Sequence, residues 1–266
     1  MKIGFIGGGN MGSALMRAIA KSEGSELYLF DTDRTKAEAL CREVGAALAA
    51  TERIASECDF IFLAVKPNII PAVAKEISPV IKDREGVTVV SMAAGVDIAS
   101  ILSYLGTDSA SVIRIMPNTP VSVGRGMILW CASDAVSKEA QESFLSMMAG
   151  AGTLDKIPEK LIDAASAVSG CGPAFVFMFL EAMADGGVSA GLPRDRAQRY
   201  AAETLVGAAE LLIQSGQHPG ELKDAVCSPG GSTIAGVGAL EDGAFRATVM
   251  SAVLSAYERT LELGKK

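Results

Sequence analysis

Ile3-Gly-Phe-Ile-Gly7-Gly-Gly9-Asn-Met-Gly12 runs an apolar strand straight into a glycine loop and then into a helix. The spacing is G-x-G-x-x-G, and each glycine has a physical task in that pattern. Gly7 permits a tight turn, Gly9 lets the backbone approach a pyrophosphate, and Gly12 allows close packing of helix on strand. The helix that follows offers free N–H groups and partial positive charge to phosphates. The stretch therefore predicts a Rossmann-type dinucleotide site, with Gly7, Gly8, Gly9, Asn10, Met11 and Gly12 as candidate cofactor contacts.

The next apolar run, Leu27-Tyr-Leu-Phe30, ends in Asp31, nineteen residues after Gly12. A carboxylate there accepts hydrogen bonds from the adenosine ribose and repels a 2′-phosphate, which favours NADH. Arg34, three residues on, is a cation that would meet a 2′-phosphate instead, so both NADPH and NADH remain open.

Outward from this start, short apolar runs alternate with helical spacing, as a parallel α/β sheet requires. Strands are expected over 2–6, 27–30, 60–65, 87–91 and 112–115, with a late one over 127–131. Each is almost continuously apolar, the mark of a strand buried on both faces. Helices are expected over 11–22, 35–44, 68–77, 98–105 and 138–149. Three further loops follow strands, where open α/β sheets bind ligands. Ala64-Val65-Lys66-Pro67 presents a lysine beside a proline that stiffens the backbone. Ser91-Met-Ala-Ala-Gly95 brings Ala93, and Met116-Pro-Asn-Thr-Pro120 brings Asn118 as an amide ligand on the nicotinamide side.

The pattern changes near 152–158, beyond which only helices are expected: 160–168, 173–190, 194–214, 219–226, 233–241 and 244–263. Prolines 173, 193, 219 and 229 fall at or near segment starts, where the first helical turn accepts them. This places a Rossmann domain at 1–158 and a helical domain at 159–266. The segment from Pro173 to Ala184 is apolar almost all the way round and must be covered on every side. A partner chain and the centre of a monomeric bundle are the two ways to cover it.

Composition excludes other classes. Hydrophobic residues are 49% of the 266, ample for a core, and the net charge of −7 argues against nucleic acid or an anionic membrane as partner. Five cysteines without a C-x-x-C pair read as thiols of a reducing compartment, and one histidine, His218, makes a transition-metal site unexpected. Glycines, Asn10 and Arg17 break any secretion signal, and the run 173–180 is too short to span a bilayer, so a cytoplasmic location is expected.

Late in the chain, Cys227-Ser-Pro-Gly-Gly-Ser-Thr-Ile234 interrupts the helices with a polar, glycine-rich turn. The helical half offers no lysine or histidine set among polar partners, and the helix from Pro173 to Ala184 contains no lysine. Alcohol oxidation normally needs such a base. Reduction of a C=N bond does not, because an imine can arrive already protonated. A hydroxyl at the ring nitrogen and an anion site suffice.

At these residues the sequence resembles the pyrroline-5-carboxylate reductase family. The resemblance covers the whole chain and runs through Ile6-Gly-Gly-Gly-Asn-Met-Gly12, Ala64-Val-Lys-Pro67, Ser91-Met-Ala-Ala-Gly95, Met116-Pro-Asn-Thr-Pro120, Ser169-Gly-Cys-Gly-Pro-Ala174 and Leu222-Lys-Asp-Ala-Val-Cys-Ser-Pro-Gly-Gly-Ser-Thr-Ile234. It implies NAD(P)H-dependent reduction of 1-pyrroline-5-carboxylate to L-proline, the last step of proline biosynthesis. It implies a Rossmann domain and an all-helical dimerisation domain, with dimers assembling into rings, commonly decamers. By motif position Thr233 would hydrogen-bond the imine nitrogen and help deliver its proton. Ser228 and the backbone around Gly230, Gly231, Ser232 and Thr233 would hold the carboxylate. Some relatives carry Asn at the position of Ala225, and many carry a small neutral residue at that of Asp31.

Two rivals compete. A hydroxy-acid dehydrogenase of the 6-phosphogluconate or 3-hydroxyisobutyrate type would place a catalytic lysine on the helix after Gly170-Cys-Gly172, where this chain has Phe175, Phe177 and Phe179. A nucleotide-sensing protein without turnover would not need the intact Ser228 and Thr233.

Overall fold

Valine, isoleucine, leucine and phenylalanine crowd the first strands, and all of these strands lie in one eight-stranded sheet. The computed structural model describes residues 1–22 and 24–264, so the last two positions of the expected 159–266 domain lie outside the described residues. The chain opens β1 (Lys2–Ile6), α1 (Asn10–Ile19), β2 (Glu26–Phe30), α2 (Arg34–Val44), β3 (Ala47–Leu48) and α3 (Thr51–Glu57). It continues through β4 (Phe60–Leu63), α4 (Ile70–Ile81), β5 (Thr88–Ser91), α5 (Ile98–Leu105) and β6 (Ser111–Met116). Then come β7 (Gly126–Ala132), α6 (Lys138–Met148), β8 (Gly152–Lys156) and α7 (Glu159–Ser169).

The strand order is β3-β2-β1-β4-β5-β6-β7-β8, whose first six strands follow the dinucleotide-binding order. All neighbours are parallel except β6 and β7. The chain reverses direction across the sheet between β1 and β4, where Ile6 pairs with Leu63. Ligands bind at such a reversal, beyond the carboxyl ends of the strands. The sheet is buried on both faces, as its unbroken apolar runs require. Phe5 and Phe62 stack at 4.5 Å on one face beneath Leu15 and Phe144, and Ile61, Ile77, Val89 and Ile162 fill the other. Each fully buried side chain of this size stabilises the fold by about 1.5–3 kcal/mol.

By contacts the chain forms two units, one of Met1–Cys171 with Ala256–Lys266 and the other of Gly172–Ser255, so α7 packs with the sheet. The physical reason lies in α7. Ile162 is fully buried against the sheet, and Arg114, 2% exposed in the middle of β6, reaches α7 with both ends of its guanidinium. Its Nη2 donates to Asp163 Oδ1 at 2.6 Å and its Nη1 to Glu159 Oε1 at 3.4 Å. Glu159 Oε1 also accepts from the N–H of Ile98 at 2.7 Å, at the start of α5. Removing one partner of such a buried pair costs roughly 3–5 kcal/mol.

The second unit holds α8 (Gly172–Ser189), α9 (Arg194–Ser215), α10 (Pro219–Ala225), α11 (Ser232–Asp242) and most of α12 (Phe245–Gly264). Helices α8 and α9 approach through small residues, with Ala184, Ala197 and Ala201 buried. The Phe179 and Phe245 rings lie 5.8 Å apart. Large side chains meanwhile face outward: Phe177 is 63% exposed, Met178 70% and Ile213 80%. Of the 18 residues of α8 only Ala184 is buried, which overturns the reading of this helix as the centre of a monomeric bundle.

The stretch Glu159–Ser189 is long and apolar enough, by length and composition alone, to cross a membrane. Glu181 ends the apolar run in the sequence, but one or two carboxylates do not end a helix.

Candidate active site

In the sheet unit, the ends of β1, β2 and β4 converge on the glycine loop. The N–H of Gly7 donates to the Phe30 carbonyl at 2.8 Å, and that of Ala64 to the Ile6 carbonyl at 2.9 Å. Gly7 turns the chain with φ +107°. A Cβ on Gly12 would lie 2.6 Å from the Gly7 carbonyl oxygen and 2.9 Å from the Ala64 Cβ, so only glycine fits. Gly9 differs. A Cβ there meets nothing within 4 Å, although Gly9 is the N-cap of α1 and its backbone is ordinarily extended. The open space over Gly9 is a cradle that no described residue fills.

Among the described residues, the N–H groups of Gly9, Asn10, Met11 and Gly12 have no acceptor, and the first intrahelical bonds begin with Ser13 to Gly9. Unsatisfied donors at a helix start are an anion site. Asp31, the residue after β2, is locked beside them: Oδ2 accepts from the Gly8 N–H at 2.6 Å and Oδ1 from the Asp33 N–H at 2.8 Å. Beyond it opens a cleft of about 310 Å3, lined by Leu29, Phe30, Asp31, Arg34, Leu48, Ala49 and Ala50. Its size and apolar walls suit an adenosine. Cradle, free donors, carboxylate and cleft together fit a dinucleotide.

The other expected contacts behave differently from one another. Ala64 and Val65 are half-buried beside the loop, while Lys66 and Pro67 are exposed at the end of β4. Arg34 is exposed and turned to Glu38 at 2.9 Å. Ala93 is 2% exposed, so its methyl belongs to the core, and only its backbone remains for a ligand.

Asn118 departs from the expectation of an amide free for the nicotinamide. It is buried. Its Nδ2 donates to the Ser169 carbonyl at 2.8 Å, and its Oδ1 accepts from the Met127 N–H at 2.9 Å. The side chain is a brace between β7 and the end of α7.

In the helical unit, the turn 228–231 is closed by the Gly231 N–H on the Ser228 carbonyl at 2.9 Å. Pro229 and Gly230 form its centre, and Gly230 takes the left-handed φ of +68° that a side chain resists. Gly231 is then the N-cap of α11, which no side chain caps. The hydroxyls of Ser228, Ser232 and Thr233 are exposed and make no hydrogen bond among the described residues. Exposed hydroxyls and the free N–H groups of an eleven-residue helix make this turn able to hold a carboxylate. His218, the only histidine, caps α10 instead, its Nδ1 accepting from the Gly220 N–H at 3.0 Å.

Burial pushes Cys58 up to about 12 and Cys131 up to about 11, so neither is a nucleophile near neutral pH. Sequence reasoning missed Arg114, Glu159 and Asp163. The signal was available: an arginine inside an apolar strand demands carboxylates, and Glu159 and Asp163 lie one helical turn apart. It also missed Leu48, Ala49 and Ala50 of the adenosine-sized cleft, because β3 is only two residues long.

Comparison with known proteins supplies the rest. Residues 159–263 match the family model described as pyrroline-5-carboxylate reductase dimerisation, and residues 2–95 the one described as NADP oxidoreductase, coenzyme F420-dependent. Pyrroline-5-carboxylate reductase of Escherichia coli is 40% identical over 99% of this chain and 98% of its own. Pyrroline-5-carboxylate reductase 3 of Danio rerio is 42% identical over 100% of this chain and 92% of its own. Among solved structures, Plasmodium falciparum pyrroline carboxylate reductase with NADP bound superposes with a TM-score of 0.90. It has 32% identity and covers 99% of this chain and 98% of its own.

Proposed function

The chain belongs to the pyrroline-5-carboxylate reductase family, and from that membership we infer how its residues divide the work: the Gly7–Gly12 loop holds the nicotinamide cofactor and the turn from Ser228 to Thr233 holds the substrate. The protein is an oxidoreductase that reduces 1-pyrroline-5-carboxylate to L-proline with NADPH or NADH, the last step of proline biosynthesis. It acts on a small molecule and forms a homo-oligomer through its helical unit.

The observation that carries the site assignment is the turn into α11, with three hydroxyls that have no partner among the described residues and a helix start that no side chain caps. Backbone N–H groups at Gly230, Ser232 and Thr233, with the Ser228 hydroxyl, hold the substrate carboxylate, while the Gly231 N–H closes the turn on the Ser228 carbonyl. Thr233 meets the ring nitrogen. The cofactor, when bound, supplies hydride to the imine carbon. Thr233 keeps the proton of the protonated imine on nitrogen, where it remains as the N–H of proline, so no further acid from the chain is needed. In the sheet unit, Gly9 leaves room for the pyrophosphate, the α1 amides bind it, and Asp31 meets the adenosine ribose. Lys66 adds a cation at the end of β4, and Ala93 offers its backbone.

Thr233→Ala tests this reading. Turnover should fall by about a hundredfold, the usual loss for one positioned donor, with cofactor affinity unchanged. An unaltered turnover would remove Thr233 from the mechanism.

The outward apolar side chains of α8 and α12 support a homodimer. An apolar groove of about 480 Å3 lies among Phe175, Met178, Phe179, Met183, Phe245 and Val249. Exposed Val206, Leu211 and Ile213 on α9 support assembly beyond a dimer, up to the decamer. A mass by light scattering equal to one chain would contradict both. We place the enzyme in the cytoplasm and not in a membrane. Burial against a partner accounts for the apolar α8, the Asp185–Arg194 ion pair suits water, and the five cysteines are free.

A further inference from the structure

We propose that this chain takes NADH in preference to NADPH, and that the Asp31 carboxylate makes the choice. The inference rests on the dinucleotide reading of the sheet unit and goes beyond it, since the similar Plasmodium falciparum protein holds NADP. Asp31 is not a mobile surface acid. Both of its oxygens are fixed by backbone N–H groups, one from the glycine loop itself at 2.6 Å and one from Asp33 at 2.8 Å. Each oxygen keeps a second lone pair, so the fixed carboxylate still accepts hydrogen bonds. The ribose of NADH offers two hydroxyl donors. The 2′-phosphate of NADPH offers acceptors only, and negative charge.

The surrounding charges do not offset Asp31. Arg34 is the cation lining the adjacent cleft, and its Nε is on Glu38 at 2.9 Å with the side chain 83% exposed. Lys36 lies on Asp33 at 3.0 Å. The end of β2 and the first turns of α2 thus carry three carboxylates against two cations, and each cation already has its own carboxylate. Asp31 has no ion-pair partner among the described residues. The Arg34–Glu38 pair is exposed and weak enough to open. A released Arg34 would then face a phosphate with the unpaired Asp31 carboxylate beside it, and one cation does not neutralise both. Like charge held within a few ångströms disfavours the ligand that adds to it.

Isothermal titration of the chain without substrate tests the proposal by binding alone. The probes are NADH, NADPH, ADP-ribose and 2′-phospho-ADP-ribose at low ionic strength. NADH and ADP-ribose should bind at least about tenfold tighter than their 2′-phosphorylated counterparts, and the ratio should shrink as salt screens the charge. Asp31→Asn, which keeps an acceptor for the Gly8 N–H and removes the charge, should cut the ratio by about tenfold. Equal or tighter binding of NADPH by the unsubstituted chain overturns the proposal whether or not the variant folds. Binding of neither cofactor removes the dinucleotide reading and the proposal with it. Binding of both cofactors with NADPH equal to or tighter than NADH removes the proposal alone.

Discussion

Asn118 Nδ2 donates to the Ser169 carbonyl at 2.8 Å, tying the loop after β6 to the last residue of α7, three positions before the helical unit begins. The same amide accepts the Met127 N–H, so one side chain fixes two backbone groups. Asn118→Ala would strand both, at a cost of about 1–3 kcal/mol for each buried group left unpaired. The variant should therefore unfold at clearly lower temperature than the parent at matched protein concentration. An unchanged melting temperature with weakened cofactor binding would make Asn118 a ligand and not a brace.

Gly9 and Gly12 separate the two reasons for a glycine. Gly12→Ala drives a Cβ into the Gly7 carbonyl and should lower thermal stability. Gly9→Ala meets no atom of the chain within 4 Å and adopts an ordinary backbone, so stability should hold. Its methyl occupies the cradle, and cofactor affinity should drop by about tenfold or more, read by titration. Loss of stability in Gly9→Ala with affinity intact would make Gly9 structural.

Burial raises the thiols of Cys58 and Cys131, and the sign of the pH effect follows. An unfolded cysteine ionises near pH 8.5, whereas these folded thiols stay protonated to about 12 and about 11. The unfolded state alone releases protons in that window, so their contribution to stability is full below about pH 8.5 and lost as pH rises towards the folded values. Denaturation midpoints should fall between about pH 9 and 11, less so in Cys58→Ala after correction for its lower stability at neutral pH. A flat profile would contradict the buried placement.

Much of the sheet is legible in the sequence because buried parallel strands must be apolar, and β1, β2, β4, β5, β6 and β7 all are. Strand β8 escapes because Gly152-Thr-Leu-Asp-Lys156 lies at an edge and is largely exposed, which removes the apolar signal. Strand β3 and helix α3 are too short for periodicity to register. That α7 packs with the sheet unit is hidden for a different reason. Glu159 and Asp163 look like ordinary surface carboxylates of a helix until Arg114 is seen buried beneath them.

The two glycine-rich loops were legible for one physical reason: each frees backbone N–H groups at a helix start. Asn118 was not. Its sequence context, a stiff loop after a strand, is the same for a ligand and for a brace, and only its partners decide.

The reaction assigned to this chain consumes cofactor and yields proline, and both can be followed at once. The most direct test is to mix the protein with 1-pyrroline-5-carboxylate and NADH or NADPH, following cofactor oxidation together with the L-proline formed. One molecule of proline for each cofactor oxidised is the predicted result. Absence of proline with both cofactors would mean that this chain does not catalyse the reduction.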